Sequence, residues 1–264
     1  MKSAVYSEDF YDQTTNGSLA AARYILPLLR EIRNFTSVID VGCGIGSWLL
    51  AAKELGVSRL RGVDGPYVPK EKMLVHPSLI DLNDLAQTIE TESQYELCLC
   101  LEVAEHLPTG RGETLVADLC ELSPFIAFSA AIPFQGGDGH LNEFWPEYWA
   151  RLFERHDYLP WAGIRQAIWN QREIPWWYRQ NLIIYLKRSE WANSLTDEAP
   201  ESPDSLTRIH PESYLWNVRR AHRQLPTTYA FDVDAYYSSI SKTPPSPPGY
   251  GPEYPAPRPG SESK

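Results

Sequence analysis

Apolar residues follow two rhythms along the first 190 positions of this 264-residue chain. Short, dense runs predict strands at Val38-Ile39-Asp40-Val41, Arg59-Leu60-Arg61-Gly62-Val63, Leu97-Cys98-Leu99-Cys100-Leu101, Phe125-Ile126-Ala127-Phe128-Ser129 and Leu182-Ile183-Ile184-Tyr185-Leu186. Between them, apolar positions three and four apart predict helices. Residues 18–33 place Leu19, Ala22, Ile25, Leu26, Leu29 and Ile32 on one side, with Ser18 as cap and Pro27 expected to kink or interrupt the helix. Ser47 to Leu55 is the next helix, stopped by Gly56. A short helix from Asn83 to Glu90, one over 111–122 and an aromatic-rich one from Glu143 to His156 complete the series. Strands alternating with helices predict a doubly wound α/β sheet.

Beyond about residue 190 the rhythm is lost. Residues 194–209 are polar, with Pro200 and Pro203, and Glu212 to Leu225 predicts one more helix, packed through Tyr214, Leu215 and Val218. From Thr243 onward proline and glycine dominate, the composition of a disordered, partly polyproline II tail. Such a tail is either solvated or a docking segment for a protein partner. The expected organisation is a domain over 1–190, an extension with one helix over 191–242 and a proline-rich tail over 243–264. No internal repeat is visible.

Composition narrows the class. The apolar fraction of 43% is that of a globular protein. A net charge of −10 argues against a broad nucleic-acid or anionic-membrane surface, which needs clustered Lys and Arg. The first residues lack the apolar core of a signal peptide, and no run is long enough to span a bilayer. Cys43, Cys98, Cys100 and Cys120 form no C-x-x-C pair and have no histidine at ligand spacing, so they read as small buried hydrophobes of a reducing, cytoplasmic compartment. No residue is assigned as a metal ligand.

Chemistry concentrates first at Val38 to Ser47. A β-branched strand runs into glycines at 42, 44 and 46 and then into a helix N-terminus, the layout of a nucleotide-cofactor site. A dinucleotide fingerprint, G-x-G-x-x-G, requires glycine at 47, where Ser47 stands. The D-x-G-x-G-x-G pattern from Asp40 to Gly46, with Cys43 inside it, resembles instead the first motif of class I S-adenosylmethionine (SAM) methyltransferases. An acidic residue there suits a ligand carrying an ammonium and a sulfonium but no phosphate. Asp64, about 20 residues on at the next strand end, is placed to accept two ribose hydroxyls. Asp81 follows another short apolar stretch and is placed for the exocyclic adenine amine, or as a helix cap with Asn83 and Asp84.

Taken together, Val38 to Gly46, Gly62-Val63-Asp64-Gly65, Asp81-Leu82 and Leu101-Glu102-Val103-Ala104-Glu105-His106-Leu107 resemble the class I SAM-dependent methyltransferases of the broad small-molecule (type 11) group. The resemblance extends to Phe128–Pro133, His140–Trp149 and Trp177–Asn181. With these segments the chain is similar to a subgroup of bacterial enzymes of glycan and natural-product biosynthesis, over roughly residues 10–190. It implies a Rossmann-like seven-stranded sheet, a helical lid within residues 1–35 and SAM as cofactor. The implied cofactor contacts are Asp40, Gly42, Cys43, Gly44 and Gly46 in the turn. Beyond it lie Asp64, Asp81, Leu82, Leu101 and Glu102, with Tyr11 from the lid. The implied function is methyl transfer to a hydroxyl or amine of a small molecule, a sugar or secondary metabolite.

Two histidines are candidates for a general base: His140, in the glycine-rich loop Gln135 to Glu143, and His106, just past the fourth strand. Pro175 to Asn181 is placed to shape an acceptor pocket, while the tryptophans at 145, 149, 176 and 177 read first as core. Two other readings are a nicotinamide oxidoreductase on a similar sheet, disfavoured by Ser47, and a non-catalytic partner protein acting through its tail.

Overall fold

The computed structural model describes residues 8–91, 93–191 and 199–221, with the backbone alone for 8–16, 219 and 221. The described residues up to Arg220 belong to one compact unit. The tail from Thr243 and residues 222–225 of the expected last helix lie outside the described residues.

Seven strands form a single sheet: β1 (Ser37–Val41), β2 (Arg59–Asp64), β3 (Ile80–Leu82), β4 (Leu97–Leu101), β5 (Phe125–Ser129), β6 (Tyr158–Trp161) and β7 (Ile183–Lys187). Their order is β3-β2-β1-β4-β5-β7-β6. The first five are parallel, and β7 inserts antiparallel between β5 and β6. The chain moves outward from β1 to β3 and then returns to lay β4 beside β1. The crevice between the carboxyl ends of β1 and β4 is therefore the place where such sheets bind ligands.

Helices cover both faces: α1 (Glu8–Ile32), α2 (Ser47–Glu54), α3 (Arg111–Leu122), α4 (Pro146–Glu154), α5 (Ile164–Ile168), α6 (Trp176–Asn181), α7 (Arg188–Trp191) and α8 (Pro211–Ala221). Strand alternation sorts the core. Ile39, Val41, Cys98, Cys100, Ile126 and Phe128 face one side, against α3 and α4. Val38, Leu97, Leu99, Leu101, Phe125 and Ala127 face the other, against α1 and α2. Both faces are buried, which is why these strands read as near-continuous apolar runs. The four cysteines are buried and unbridged.

Several local expectations differ from the fold. Helix α1 begins at Glu8 rather than Ser18, and Ser18 does not cap it: its hydroxyl pairs with Tyr178 Oη at 3.1 Å. Pro27 does not break α1; it lies on the solvent side, where the carbonyl it leaves free can be hydrated. The helix expected over 83–90 is a single turn, closed by the Gln87 N–H on Asp84 O at 2.9 Å, followed by irregular chain. Arg111 holds the carbonyls of Leu85 and Gln87 that a helix would use, and Asp118 holds the Ile89 N–H. The aromatic helix starts later than expected, with Pro146 at its first position. Strand β6 went unread because Pro160 interrupts its pattern, and it is tolerated because β6 is an edge. Helix α8 buries Ser213, not Tyr214, which is 61% exposed.

Gly56 behaves as the sequence predicts. It takes a left-handed φ of 87° and closes α2, with Gly56 N–H on Lys53 O and Val57 N–H on Ala52 O.

Candidate functional site

The turn after β1 requires its glycines. Gly42, Gly44 and Gly46 have φ of 79°, 52° and 91°. A Cβ on Gly42 would meet Val103 Cγ2 at 2.2 Å, whereas nothing lies within 4 Å of the same point on Gly44. The turn is thus packed from below and open above, a cradle for a ligand. It is pinned by the Gly42 N–H on Val63 O at 2.8 Å and by the Asp64 carboxylate, which accepts the N–H groups of Gly44 and Gly65 at 2.6 Å each.

Two carboxyls sit at this end of the sheet. Asp40 is 2% exposed, and its Oδ2 has no hydrogen-bond partner. Burial pushes its pKa up to about 8, and neighbouring Asp64 adds to the rise. Burial raises Asp64 as well, against the opposing effect of hydrogen bonds from Tyr67, Gly44 and Gly65. An orphaned, buried carboxyl facing a cavity is suited to a cationic ligand.

The cavity above the turn measures about 500 Å³, within the range of small-molecule sites. Asp40, Gly44 and Asp64 line one end. Trp48, Tyr67, Trp176, Trp177, Tyr178 and Trp216 supply aromatic walls. Trp177 thus serves the cavity as well as the core, Trp176 lines the cavity without joining a core cluster, and Trp216 reaches it from α8.

The far end is polar and tightly wired. Glu102 leaves β4 with φ 58°, a left-handed conformation that costs a non-glycine residue energy. Its carboxylate accepts Asn181 Nδ2 at 3.1 Å and Gln135 Nε2 at 3.2 Å, while burial raises its pKa. The loop 134–143 folds over this group. Glu143 gathers it, accepting Phe134 N–H, Gly136 N–H and His140 Nδ1 at 2.8 Å each. Glu105 O anchors it by accepting the Leu141 and Asn142 N–H groups at 2.7 and 3.0 Å. His106 and His140 meet edge to face with centroids 4.8 Å apart. Desolvation, with His140 nearby, lowers the His106 pKa to about 4.

No family model and no curated protein sequence matches this chain. Solved structures share its architecture. It aligns with the sugar N-methyltransferase KedS8 from Streptoalloteichus with a TM-score of 0.51 and 15% identity, over 69% of this chain and 92% of that one. The magnesium protoporphyrin IX methyltransferase of Synechocystis, solved with bound S-adenosylhomocysteine (SAH), gives 0.50 and 16%, over 69% and 90%. The amino pentose methyltransferase CalS10 from Micromonospora echinaspora, solved with SAM, gives 0.50 and 13%, over 68% and 95%. The chain has the class I methyltransferase fold.

On this methyltransferase fold the residues singled out by sequence divide. Asp40, Gly42, Cys43, Gly44 and Asp64 line the cavity at the turn. Leu101, Glu102, His106 and His140 line it at the β4 end. Gly46 lies beneath as the left-handed N-cap position of α2. Asp81 and Leu82 are not among the lining residues; the Asp81 carboxylate forms a two-pronged ion pair with Arg61. The Tyr11 side chain lies outside the described residues.

Sequence reasoning missed Tyr67, Gln135 and Trp216 because none sits in a motif. It also marked no metal ligands, yet one donor atom each of Glu105, His106 and His140 lie within 4.8 Å of one another.

Proposed function

We propose that this chain is a SAM-dependent methyltransferase that moves a methyl group to a hydroxyl of a small molecule, a sugar or secondary metabolite. The observation that carries the reading is the pairing of an open glycine cradle with the unpartnered carboxyl of Asp40 and the Asp64 carboxylate, on a class I methyltransferase fold. Two buried acidic groups suit a cationic adenosyl ligand and repel the pyrophosphate of a dinucleotide. The neighbouring structures with bound SAM or SAH support the same cofactor.

In this reading Asp64 takes the ribose hydroxyls and Asp40 faces the positively charged amino-acid end. Bound SAM supplies an electrophilic methyl group on a good leaving group. The aromatic walls exclude water and orient an acceptor, and alignment of this kind is worth roughly 7–11 kcal/mol. His140 donates from Nδ1 to Glu143, which leaves its other nitrogen as the acceptor of a ring that lines the cavity. It is the base for a hydroxyl proton, a role that typically adds about 10²–10⁴-fold.

Calorimetry with SAH and with NAD(H) tests the cofactor, and a labelled-methyl assay tests the transfer. Saturable SAH binding without NAD(H) binding is expected, and the reverse result overturns the reading. His140→Ala lowers turnover and leaves SAH affinity near the wild-type value; unchanged turnover removes the base assignment.

A further inference from the structure

The loop 134–143 brings His140 beside Glu105 and His106, which follow β4, and so completes a donor set at the cavity. Glu105 is 0% exposed, lines the cavity and has no hydrogen-bond partner of ordinary geometry on either carboxylate oxygen. Its nearest polar neighbours are the backbone N–H groups of Glu105 and Ala131 and the Glu102 carboxyl. His106 Nδ1 is likewise buried and makes no hydrogen bond of ordinary geometry; the Gly139 backbone lies beside the ring. His140 is held by a Nδ1 hydrogen bond to Glu143, which fixes the ring and frees its second nitrogen. A carboxylate orienting an imidazole in this way is the usual outer support of a metal-bound histidine. Two buried carboxyls beside two imidazoles leave a position that a cation would neutralise.

We propose that Glu105, His106 and His140 bind one divalent transition-metal ion at the acceptor end of the cavity. Their donor atoms lie within 4.8 Å of one another. Donors bound at ~2.1 Å to a common ion stand ~3–4 Å apart, so side-chain rotations of about 1 Å close the set. Two imidazoles with one carboxylate favour Mn²⁺, Co²⁺ or Zn²⁺ over Mg²⁺ and Ca²⁺, which prefer oxygen throughout. Three ligands leave coordination positions open to the cavity.

The consequence for catalysis rests on the methyl-transfer reading above and changes one part of it. With its free nitrogen on an ion, His140 is a ligand and not the base. A hydroxyl bound at an open position becomes more acidic. Its proton passes to solvent, the oxygen lone pair forms the new O–C bond, and the donor C–S bond breaks to a neutral thioether. The acceptor class is then an oxygen nucleophile able to bind a metal ion.

The test uses the tag-free full chain, stripped by a chelator and titrated separately with Mn²⁺, Co²⁺ and Zn²⁺. One ion per chain is expected, with visible Co²⁺ absorption bands that report nitrogen ligation. Glu143→Gln should weaken binding by about 10–100-fold, as loss of an outer partner does. Glu105→Gln, His106→Ala and His140→Ala should weaken it further, and His156→Ala, at an exposed position, should not. If Glu105→Gln fails to fold, the wild-type titration and His140→Asn still decide. Absence of saturable binding for all three ions overturns the site, as does undiminished binding in the ligand variants. SAH calorimetry on the same samples separates the two claims. Ion binding without SAH binding leaves the site standing and removes the methyl-transfer reading. SAH binding without ion binding removes the site alone.

Discussion

The carboxylate of Asp64 accepts the backbone N–H of Gly44 at 2.6 Å, tying the end of β2 to the turn that follows β1. The strands set this up: Asp40 pairs with Gly62 and Val41 with Val63, so the two strand ends finish level. Asp64→Ala removes this tie together with the proposed ribose acceptor. Hydrogen bonds to charged groups are worth about 1.5–3 kcal/mol, or roughly 10–100-fold in affinity. SAH affinity measured by calorimetry should fall by that factor while the circular dichroism spectrum is retained. An affinity within twofold of wild type would rule out the role.

Gly42 and Val103 test the packing beneath the cradle. Gly42→Ala forces a Cβ to 2.2 Å from Val103 Cγ2 and places alanine at φ 79°. Overpacking typically costs about 1–3 kcal/mol, and left-handed strain adds to it. Melting temperature and SAH affinity should both fall. Adding Val103→Ala relieves the clash but not the strain, so the double variant should recover only part of the loss. Full recovery would mean that the backbone conformation does not matter.

Much of this was legible in the chain because the signals are local. The runs 97–101 and 125–129 and the helix 111–122 match β4, β5 and α3 residue for residue. Buried strands and an amphipathic helix carry their pattern within themselves. The turn at 42–46 was legible for the same reason, since glycine adopts its left-handed dihedral angles without strain. What could not be read depends on distant partners. The helix expected at 83–90 yields to Arg111, some 25 positions away. Asp81 was expected after a short apolar stretch; it lies within β3, and Arg61 of the neighbouring β2 takes its carboxylate. Asn181 meets Glu102 from 79 positions away, and Glu105 meets His140 only because the loop 134–143 folds back. No periodicity encodes such meetings.

Helix α6 is anchored by a buried cation. The Arg179 guanidinium is 2% exposed, pairs with Glu212 of α8 at 3.1 Å and donates to Trp169 O at 3.2 Å. The next two residues of α6, Gln180 and Asn181, hold Gln135 and Glu102 at the polar end of the cavity. Arg179→Ala leaves Glu212 and the Trp169 carbonyl without this partner. Breaking a buried pair from one side costs about 3–5 kcal/mol. At 2–4 °C per kcal/mol for a chain of this size, the melting temperature should drop by roughly 10 °C. A drop under about 2 °C would show that α6 is held by packing alone.

Asp40 couples the ligand-free stability of the chain to pH. Its folded pKa is about 8, against an ordinary value of 3.8. Between those values the folded chain keeps a proton that the unfolded chain has released. Its contribution is fully present below about pH 4 and is lost as pH rises toward 8, at no more than ~1.4 kcal/mol per unit. Asp64 is raised as well and acts in the same sense, so Asp40→Asn should flatten the fall in melting temperature from pH 5 to 8 without abolishing it. The same variant should be more stable than wild type at pH 8. A cationic ligand reverses the preference, because it favours the ionised carboxyl. SAM binding near pH 7 should therefore release part of a proton from Asp40, seen as a dependence of the calorimetric heat on buffer ionisation enthalpy. Subtracting the Asp40→Asn result isolates this group from titration of the ligand itself. Equal proton release in wild type and Asp40→Asn would place the positive end of the ligand elsewhere in the cavity.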